Sequence, residues 1–465
     1  ENVLTYLNTE GRVSLDLLKI IQKDHKLNSY KLDTVSENFI NNSIISIENN
    51  KLEIKGSNDL EKGNYITIFF KNDKYLDGKK FQIINKENNT IYLDSNIENI
   101  IIECPKWRLA KDDIGPKDIF RLQNESKEGR TIVAKYCIQD CQLCNKLIMK
   151  LNIIANNIGM ANVCSVPLSF IFLRGQGIKI FSLVAKECRE NDFLIPVLKK
   201  PKNKDDTKKP KPKYYDDGSS SEDEEMGGYE GAIVLKPNPG IYFEPITVLD
   251  YSSLYPSCMI SENLSHDTIV LDMKYDNLPG YDYIDITYDV FEWINIDIKS
   301  KGKKKTGQKT CRFVQFKDGS KGIIPQILQK LLKQRKYVRK EMIYKTVEYT
   351  EGEFSGLISN KEDLLIIKNL EGEQKEINRK DIIKEYDTYN EFEKEVKEGL
   401  QLAYKVTANS LYGQIGAKTS AICLIDIAAS TTATGRKLLY LAQEKTEEKF
   451  EGAEVVYGDS VLPDT

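Results

Sequence analysis

The residue types best suited to chemistry stand in one short segment, DYSSLYPS at residues 250–257. It follows the apolar run at residues 246–249, which predicts a buried β-strand. A carboxylate at the end of a strand, followed by a turn whose backbone amides point outward, suits a metal ion held beside a phosphate chain. The simpler alternative is an ordinary junction between a strand and a turn, with an exposed aspartate.

A second segment, KVTANSLYG at residues 405–413, has a helical pattern. Lys405, Asn409 and Tyr412 then occupy positions i, i+4 and i+7, so an ammonium, an amide and an aromatic ring share one helix face. Such a face can hold a triphosphate and stack beside a base. The alternative is a solvated lysine and a capping asparagine before a glycine that ends the helix.

Two further segments carry weaker signals. An apolar strand that reaches a tight turn and a carboxylate is predicted at VVYGD, residues 455–459. The segment QRKYVRK at residues 334–340 places Arg335 and Arg339 one helical turn apart, which is a good geometry for binding phosphate oxygens. A cationic helix face is more often only solvated, so neither segment indicates a function by itself.

Composition limits the classes of protein that can contain these segments. A chain of 465 residues with 40% hydrophobic content should form roughly three domains, which excludes a single small binding module. Its 67 Lys and Arg against 70 Asp and Glu leave a net charge of −3. That balance argues against coating of nucleic acid by bulk charge, but not against a local basic channel. The nine scattered cysteines indicate free thiols and a reducing, intracellular compartment.

Sequence periodicity predicts the elements that must position the candidate residues. No apolar stretch approaches the roughly 20 residues of a membrane span, so no membrane association is expected. Lysine, proline and then acidic residues dominate positions 199–226, which predicts a disordered loop. Helices are predicted within residues 1–40, 132–154, 323–342, 391–409 and 435–450, a β-rich module at 41–103, a hairpin-like insertion at about 351–381, and a strand at 454–456.

Taken in this order, the segments resemble the family B DNA polymerases, specifically the delta-like type of eukaryotes and large DNA viruses. Residues 250–257 resemble motif A of that family, 405–413 resemble motif B, and 457–459 resemble the start of motif C. The resemblance covers most of the chain outside the two insertions. YEGA at residues 229–232 is similar to the motif between exonuclease and palm, and residues 322–340 are similar to the fingers helix.

The resemblance implies a mixed α/β fold with right-hand architecture, in which a palm with an antiparallel sheet and helical fingers follow the end of an RNase H-like exonuclease domain. It divides the chain into five parts. These are the C-terminal part of the 3′–5′ exonuclease with its β-rich insertion (1–160), a linker and the first part of the palm (161–325), the fingers (326–416), the second part of the palm (417–459), and the start of an intein (460–465).

The implied activity is template-directed transfer of a deoxynucleotide onto a primer 3′-hydroxyl with two Mg²⁺ ions. Asp250 and Asp459 would be catalytic metal ligands, joined by the carbonyl of Tyr251. The ring of Tyr255 would pack under the sugar and select deoxynucleotides. Implied partners are primer–template DNA, deoxynucleoside triphosphates and a sliding clamp, in the host cytoplasm or nucleus. The nucleotide-binding residues would be Ser253, Leu254, Tyr255, Arg335, Arg339, Lys405, Asn409 and Tyr412.

Tyr136 and Asp140 resemble the third motif of the proofreading exonuclease, in which the tyrosine positions water and the aspartate binds metal. The first two exonuclease motifs are not found in the chain, so this sequence is not expected to proofread. Cys137, Cys141 and Cys144 are close enough to raise a zinc site, but a fourth ligand is missing nearby. Packing of a helix face is the favoured interpretation of these three cysteines.

Motif C departs from the family pattern, in which Tyr-Gly-Asp continues as Thr-Asp-Ser and the second aspartate pairs with Asp250. Here Asp459 is followed by SVLPDT at residues 460–465. Three explanations are a degenerate polymerase, an artefact or truncation, and an intein that begins at Ser460. The intein is favoured, because inteins begin with a nucleophilic Ser or Cys and the next family residue would be Thr. A non-catalytic nucleic-acid-binding remnant and a protein-primed polymerase are the competing functional interpretations.

Overall fold

The computed structural model describes residues 9–56, 60–70, 73–97, 105–111, 114–195, 228–297, 300–361 and 363–460. The chain divides into two compact units, Glu1–Asn157 and Ile158–Thr465. The loop predicted at 199–226 and residues 461–465 of the predicted intein start lie outside the described residues. Both therefore stay predictions.

The first unit contains a closed β-barrel. Its strands are antiparallel in the order β4-β3-β5-β6-β2-β1-β7, and β3 also pairs with β7, so that six strands close on themselves. Apolar side chains such as Leu52, Ile68 and Phe81 are fully buried. Closure leaves only the short β4 as an edge. The strands are β1 (Asn41–Glu48), β2 (Lys51–Ile54), β3 (Tyr65–Phe70), β4 (Asp73–Lys74), β5 (Phe81–Glu87), β6 (Thr90–Leu93) and β7 (Pro105–Ala110).

Helices precede and follow the barrel strands along the chain. The Asp16 side chain accepts hydrogen bonds from Leu18 N and Lys19 N and so begins the first helix, as an N-cap residue should. Ser126 does the same for the long fourth helix by accepting from Gly129 N. The helices are α1 (Leu17–Asp24), α2 (Leu32–Phe39), α3 (Pro116–Glu125), α4 (Lys127–Lys150) and α5 (Ile153–Cys164), with a 3₁₀ turn at Tyr75–Gly78.

The second unit combines helices with a three-stranded antiparallel sheet in the order β10-β9-β8. Its core is formed by the apolar faces of the helices and by part of this sheet. Ile180, Leu328 and Leu411 are examples from the helices. The elements are α6 (Leu168–Leu173), α7 (Gln176–Glu190), β8 (Gly228–Tyr229), α8 (Leu254–Ser261), a 3₁₀ turn (Met273–Tyr275), β9 (Tyr281–Asp297), β10 (Ser300–Phe316), α9 (Ile323–Glu341), α10 (Glu391–Gly416) and α11 (Ile425–Lys449).

A five-stranded antiparallel sheet lies between α9 and α10, in the order β14-β13-β12-β11-β15. It has its own apolar cluster around Val347, Leu365 and Ile367. The hairpin predicted at about 351–381 is therefore part of a larger insertion with a small core. Its strands are β11 (Lys345–Tyr349), β12 (Gly352–Lys361), β13 (Leu364–Lys368), β14 (Gln374–Asn378) and β15 (Ile382–Asp387), with a 3₁₀ turn at Arg379–Asp381.

The predicted mixed α/β class with antiparallel sheets is confirmed, but two predicted strands are wrong. Residues 246–249 form no strand, and Val248 and Leu249 are 85% and 75% exposed. Residues 454–456 form no strand either, although Val456 O accepts one hydrogen bond from Asn238 N. An apolar run becomes a strand only when a neighbour satisfies its backbone groups. Among the described strands, none pairs with residues 246–249.

The eight cysteines that the structure describes are free, as predicted. Cys137 and Cys141 are exposed on α4, and Cys144 is half-buried. The prediction that these three side chains pack a helix face is therefore wrong for the first two. Burial raises the pKa of the Cys144 thiol. Within the described ranges, no helix is long and apolar enough to cross a membrane.

His266 provides a test of stability against pH. Its Nε2 lies 3.0 Å from the carbonyl oxygen of Ile422. Burial lowers the pKa of His266 from the ordinary 6.5, although the hydrogen bond with Ile422 and the charge of Asp267 oppose this. The unfolded chain therefore binds more protons than the folded protein just below pH 6.5, so His266 reduces stability as the pH falls through that value. Urea unfolding at pH 7.5 and 5.5 should show a larger loss for the unsubstituted protein than for His266→Gln. Equal losses would contradict this.

Candidate active site

The segment that resembles motif A forms the turn into α8. Ser253 has a left-handed backbone, with φ 53° and ψ 60°, and its carbonyl accepts the hydrogen bond of Ser257 N. The Tyr251 hydroxyl donates to the carbonyl of Leu438 at 3.0 Å, which attaches this turn to α11. Asp250 is exposed directly before the turn. The carboxylate is therefore open to solvent and available to a ligand.

Tyr255 lies at the centre of the site and is 2% exposed. Its ring centroid is 4.6 Å from that of Tyr412, and its hydroxyl donates to the carbonyl of Ser460 at 2.6 Å. Burial raises the pKa of Tyr255 further above its ordinary value. A Cβ on Gly435 would lie 3.0 Å from Cε1 of this ring. Glycine therefore lets α11 approach the tyrosine closely.

The YEGA segment at residues 229–232 packs on α11 through Arg436. The guanidinium donates to the carbonyls of Glu230 and Gly231 at 2.7 and 2.6 Å, and it forms an ion pair with the Glu230 carboxylate at 3.1 Å. Thr432 Oγ1 adds a hydrogen bond to the Glu230 carbonyl at 3.0 Å. Arg436 is 8% exposed. One side chain thus satisfies two carbonyls and a carboxylate in a mostly buried position.

Tyr229 connects the same segment to α10. Burial raises the pKa of Tyr412 well above its usual range, and a hydrogen bond with Tyr229 adds to the effect. A Cβ on Gly416 would lie 3.1 Å from the Tyr229 hydroxyl oxygen. Three tyrosines, Tyr229, Tyr255 and Tyr412, therefore join segments that are far apart in the sequence.

The segment that resembles motif C runs antiparallel to residues 233–238. Leu235 N donates to Gly458 O at 2.7 Å, and Ser460 N donates to Ile233 O at 2.9 Å. Ser460 is 2% exposed, and its Oγ accepts from Ile233 N at 3.0 Å. Asp459 is exposed and accepts a hydrogen bond from the Tyr457 hydroxyl at 2.5 Å, which raises the pKa of that tyrosine.

The predicted triphosphate-binding cations stand on α9 and α10, which pack together. Arg335 Nε donates to Gln401 Oε1 at 3.1 Å, and burial together with Arg339 lowers the pKa of Arg335. Arg339 is exposed, Lys405 is half-buried, and Asn409 is 8% exposed. The continuous α10 does place Lys405, Asn409 and Tyr412 at helical spacing.

The exonuclease-like pair lies in the first unit, on α4. Lys111 Nζ forms an ion pair with Asp140 at 2.8 Å and lies 4.3 Å from the centroid of the Tyr136 ring. Burial acts to lower the pKa of Lys111, but its hydrogen bonds to Asp140 and Tyr136 outweigh this and raise it. Oδ1 of Asp140 is buried without a hydrogen-bond partner among the described residues. The aspartate is thus neutralised by a lysine.

The candidate site offers oxygen donors for a metal ion. Exposed carboxylates on Asp250 and Asp459 and the carbonyl of Tyr251 are hard oxygen donors of the kind Mg²⁺ prefers. Within the described parts of the chain, however, no group of three or more His, Cys, Asp or Glu side chains is arranged to hold a metal ion. The donor chemistry fits Mg²⁺, while the set of carboxylates is small.

These contacts define a protein in which four separated sequence segments meet around the buried Tyr255 and the half-buried Tyr229 and Tyr412, and two of these segments carry exposed carboxylates. The model of the family described as DNA polymerase family B matches residues 166–353 and 365–462, more than half of the chain. The chain therefore belongs to the family B DNA polymerases. Members of that family generally use divalent metal ions.

Individual relatives agree with this assignment. The chain is 48% identical to the DNA polymerase of Pyramimonas orientalis virus, over 99% of this chain and 35% of the relative. It is 36% identical to the DNA polymerase of Phaeocystis pouchetii virus, over 98% and 41%, and 27% identical to the DNA polymerase delta catalytic subunit of Glycine max, over 97% and 28%. The chain thus resembles large-DNA-virus members and spans about a third of their length.

Sequence reasoning missed two residues that build the site. Arg436 and Gly435 sit in the middle of α11, and neither type stands out in a helical pattern. Their importance depends on where residues 230–231 and Tyr255 pack. The signal available in the sequence was an arginine next to a glycine within a helical pattern, and this signal is weak.

Proposed function

We propose that this chain is the part of a viral DNA polymerase that binds the incoming nucleotide and carries out template-directed primer extension. The observation that carries the proposal is the position of Tyr255. Its ring contacts Tyr412 of the motif B segment, and its hydroxyl bonds to Ser460 beside the motif C segment. Because Tyr255 itself belongs to motif A, one buried side chain joins all three motifs. The relatives named DNA polymerases support this proposal.

In the proposed reaction, the primer 3′-oxygen bonds to the α-phosphorus of the triphosphate and the bond to the β-phosphate breaks, releasing pyrophosphate. Asp250, the Tyr251 carbonyl and Asp459 would hold Mg²⁺, which when bound neutralises charge on the attacking and leaving oxygens. The backbone amides after Ser252 and the cations Arg335, Arg339 and Lys405 would bind the triphosphate. Asn409 would join these cations on the triphosphate, and Tyr412 would lie at the nascent base pair.

We assign α9 and α10 with the intervening sheet to the fingers, and β8 to β10 with α8 and α11 to the palm. In the proposed exonuclease remainder, the candidate metal ligand Asp140 forms an ion pair with Lys111.

Primer extension tests the proposed function. The protein, expressed with whatever sequence its gene adds at either end, is incubated with Mg²⁺, the four deoxynucleoside triphosphates and a 5′-labelled primer on a template of defined sequence. Products that lengthen only with the nucleotide complementary to the template are expected. Binding of the primer–template without any extension would refute the enzymatic proposal.

That second outcome is the expectation for a non-catalytic nucleic-acid-binding remnant. The observation that favours it is the sequence after Asp459, where Ser460 and Val461 stand in place of the threonine and the second aspartate of the family pattern. The same experiment separates the two functions, because a remnant binds DNA and extends nothing.

Selection of the sugar gives a further prediction for Tyr255. In Tyr255→Ala the proposed sugar-facing ring is lost, so discrimination between deoxynucleotides and ribonucleotides, measured as the ratio of kcat/KM, should fall by about 10- to 200-fold. Tyr255→Phe keeps the ring but loses the hydrogen bond to Ser460, and it should retain discrimination. Equal ratios in all three proteins would contradict a role in sugar selection.

A further inference from the structure

The first turn of α9 is capped by side chains from one short segment, residues 263–267. A helix N-terminus leaves backbone N–H groups without intrahelical partners, and here three successive ones are satisfied by three different side chains. This cap has no local sequence signature, because its donors and acceptors are more than 50 residues apart. The hydrogen bonds are Gly322 N to Asn263 Oδ1 at 2.8 Å, Ile323 N to both carboxylate oxygens of Asp267 at 3.2 Å, and Ile324 N to Ser265 Oγ at 3.1 Å.

Asn263 joins this cap to the sheet. It is fully buried, with φ 55°, a left-handed conformation that asparagine tolerates better than most residues. Its Nδ2 donates to the carbonyl of Val314 on β10 at 2.9 Å, and its own carbonyl accepts from Thr268 Oγ1 at 2.5 Å. The segment therefore has little freedom to move relative to β10.

The capping segment also packs closely against the start of α9. A Cβ on Gly322 would lie 2.7 Å from Thr268 Cγ2 and 2.8 Å from Ser265 Cβ. Ser265 Oγ in turn donates a short hydrogen bond to Asp267. The capping side chains thus hold one another as well as the helix, so that the start of α9 is fixed in both distance and direction.

This cap connects two parts of the proposed active site. The 263–267 segment follows α8, whose first turn carries Tyr255, and α9 carries Arg335 twelve residues after its first residue. Twelve residues of helix span about 18 Å, so a tilt of about 5° at the first turn would move Arg335 by about 1.6 Å. Displacements of about 1 Å in a site can cost on the order of 100-fold in rate.

We propose that Asn263 and Asp267 are positioning residues for nucleotide binding: they fix the direction of α9 on the palm and thereby the place of Arg335. The inference rests on the proposed function. It adds residues outside the motifs, and neither residue needs to touch the nucleotide.

The test measures KM for deoxynucleoside triphosphate, kcat, and the Kd for primer–template DNA in the complete gene product. Asp267 is exposed, so Asp267→Ala should fold. We expect its KM to rise about tenfold while kcat and the DNA Kd change less than about twofold. Asp267→Asn keeps one oxygen for Ile323 N and should stay within about threefold. Asn263→Asp keeps the acceptor for Gly322 N but removes the Nδ2 donor to Val314 O in a fully buried position, so its KM should rise at least as much as that of Asp267→Ala. Asp16→Ala removes an N-cap from α1 and should leave KM unchanged.

A double-mutant cycle separates positioning from general damage. If Asp267 acts through the arginines of α9, adding Asp267→Ala to a protein that already carries Arg335→Ala and Arg339→Ala should change KM less than about twofold. A tenfold rise that persists in the background without both arginines would overturn the inference, as would an unchanged KM in Asp267→Ala or an equal loss of DNA affinity. These results presuppose extension by the unsubstituted protein. If that protein extends no primer, the proposed function itself is refuted.

Discussion

Primer extension is expected to fall at least about 1,000-fold when Asp250 is replaced by alanine, because the substitution removes a proposed metal ligand from the reacting centre. Asp250 is exposed and forms no hydrogen bond or ion pair within the described residues, so its loss should leave the fold unchanged. The rate is measured by single-turnover extension of a labelled primer. The affinity for primer–template DNA, measured by fluorescence anisotropy, should stay within about threefold.

Asp272→Ala is the matched control. Asp272 is also an exposed aspartate of the second unit. It caps a 3₁₀ turn by accepting from Lys274 N at 3.0 Å and forms an exposed ion pair with Lys274 Nζ at 3.2 Å. Its extension rate should stay within about twofold of the unsubstituted protein. An Asp250→Ala protein that extends primers within tenfold of normal would show that another carboxylate holds the metal.

Removal of Arg436 is expected to cause the largest loss of stability. Arg436→Met deletes the hydrogen bonds to the Glu230 and Gly231 carbonyls and leaves the Glu230 carboxylate without its ion-pair partner. Because the Glu230 side chain is 39% exposed, solvent compensates part of the lost ion pair, and the expected cost is about 1–3 kcal/mol, mainly from the Gly231 carbonyl left without its hydrogen bond. The free energy of unfolding is measured by urea titration followed by circular dichroism.

Two control variants are compared with Arg436→Met. Arg436→Lys keeps the positive charge, but an ammonium lacks the planar, forked donors with which the guanidinium reaches all three acceptors. This variant should therefore lose an intermediate amount of stability. Arg121→Met removes an arginine that pairs with Glu125 on an exposed helix face, and it should cost less than about 1 kcal/mol. Equal effects of Arg436→Met and Arg121→Met would contradict the structural role described for Arg436.

Local features could be predicted from the sequence because they depend on neighbours along the chain. Helical patterns correctly located α9 and most of α10, and the i, i+4 spacing of Arg335 and Arg339 follows from helix geometry alone. The order of the motifs was sufficient to identify the family, and the family comparison confirmed this identification. The start of α11 was predicted ten residues late, at 435 instead of Ile425, because Ser430, Thr431 and Thr432 weaken the helical pattern although they are buried.

The sequence by itself therefore determined the family, the helices and the identity of the candidate site residues. Only the tertiary structure decided which of them touch. The Tyr255–Tyr412 contact, the hydrogen bond to Ser460 and the bonds of Arg436 join residues from 157 to 206 positions apart. The exposure of residues 246–249 was also decided by the tertiary structure, because a strand forms only where a partner satisfies its backbone groups. Periodicity records the environment of each residue, and it carries no information on the distant residue that supplies that environment.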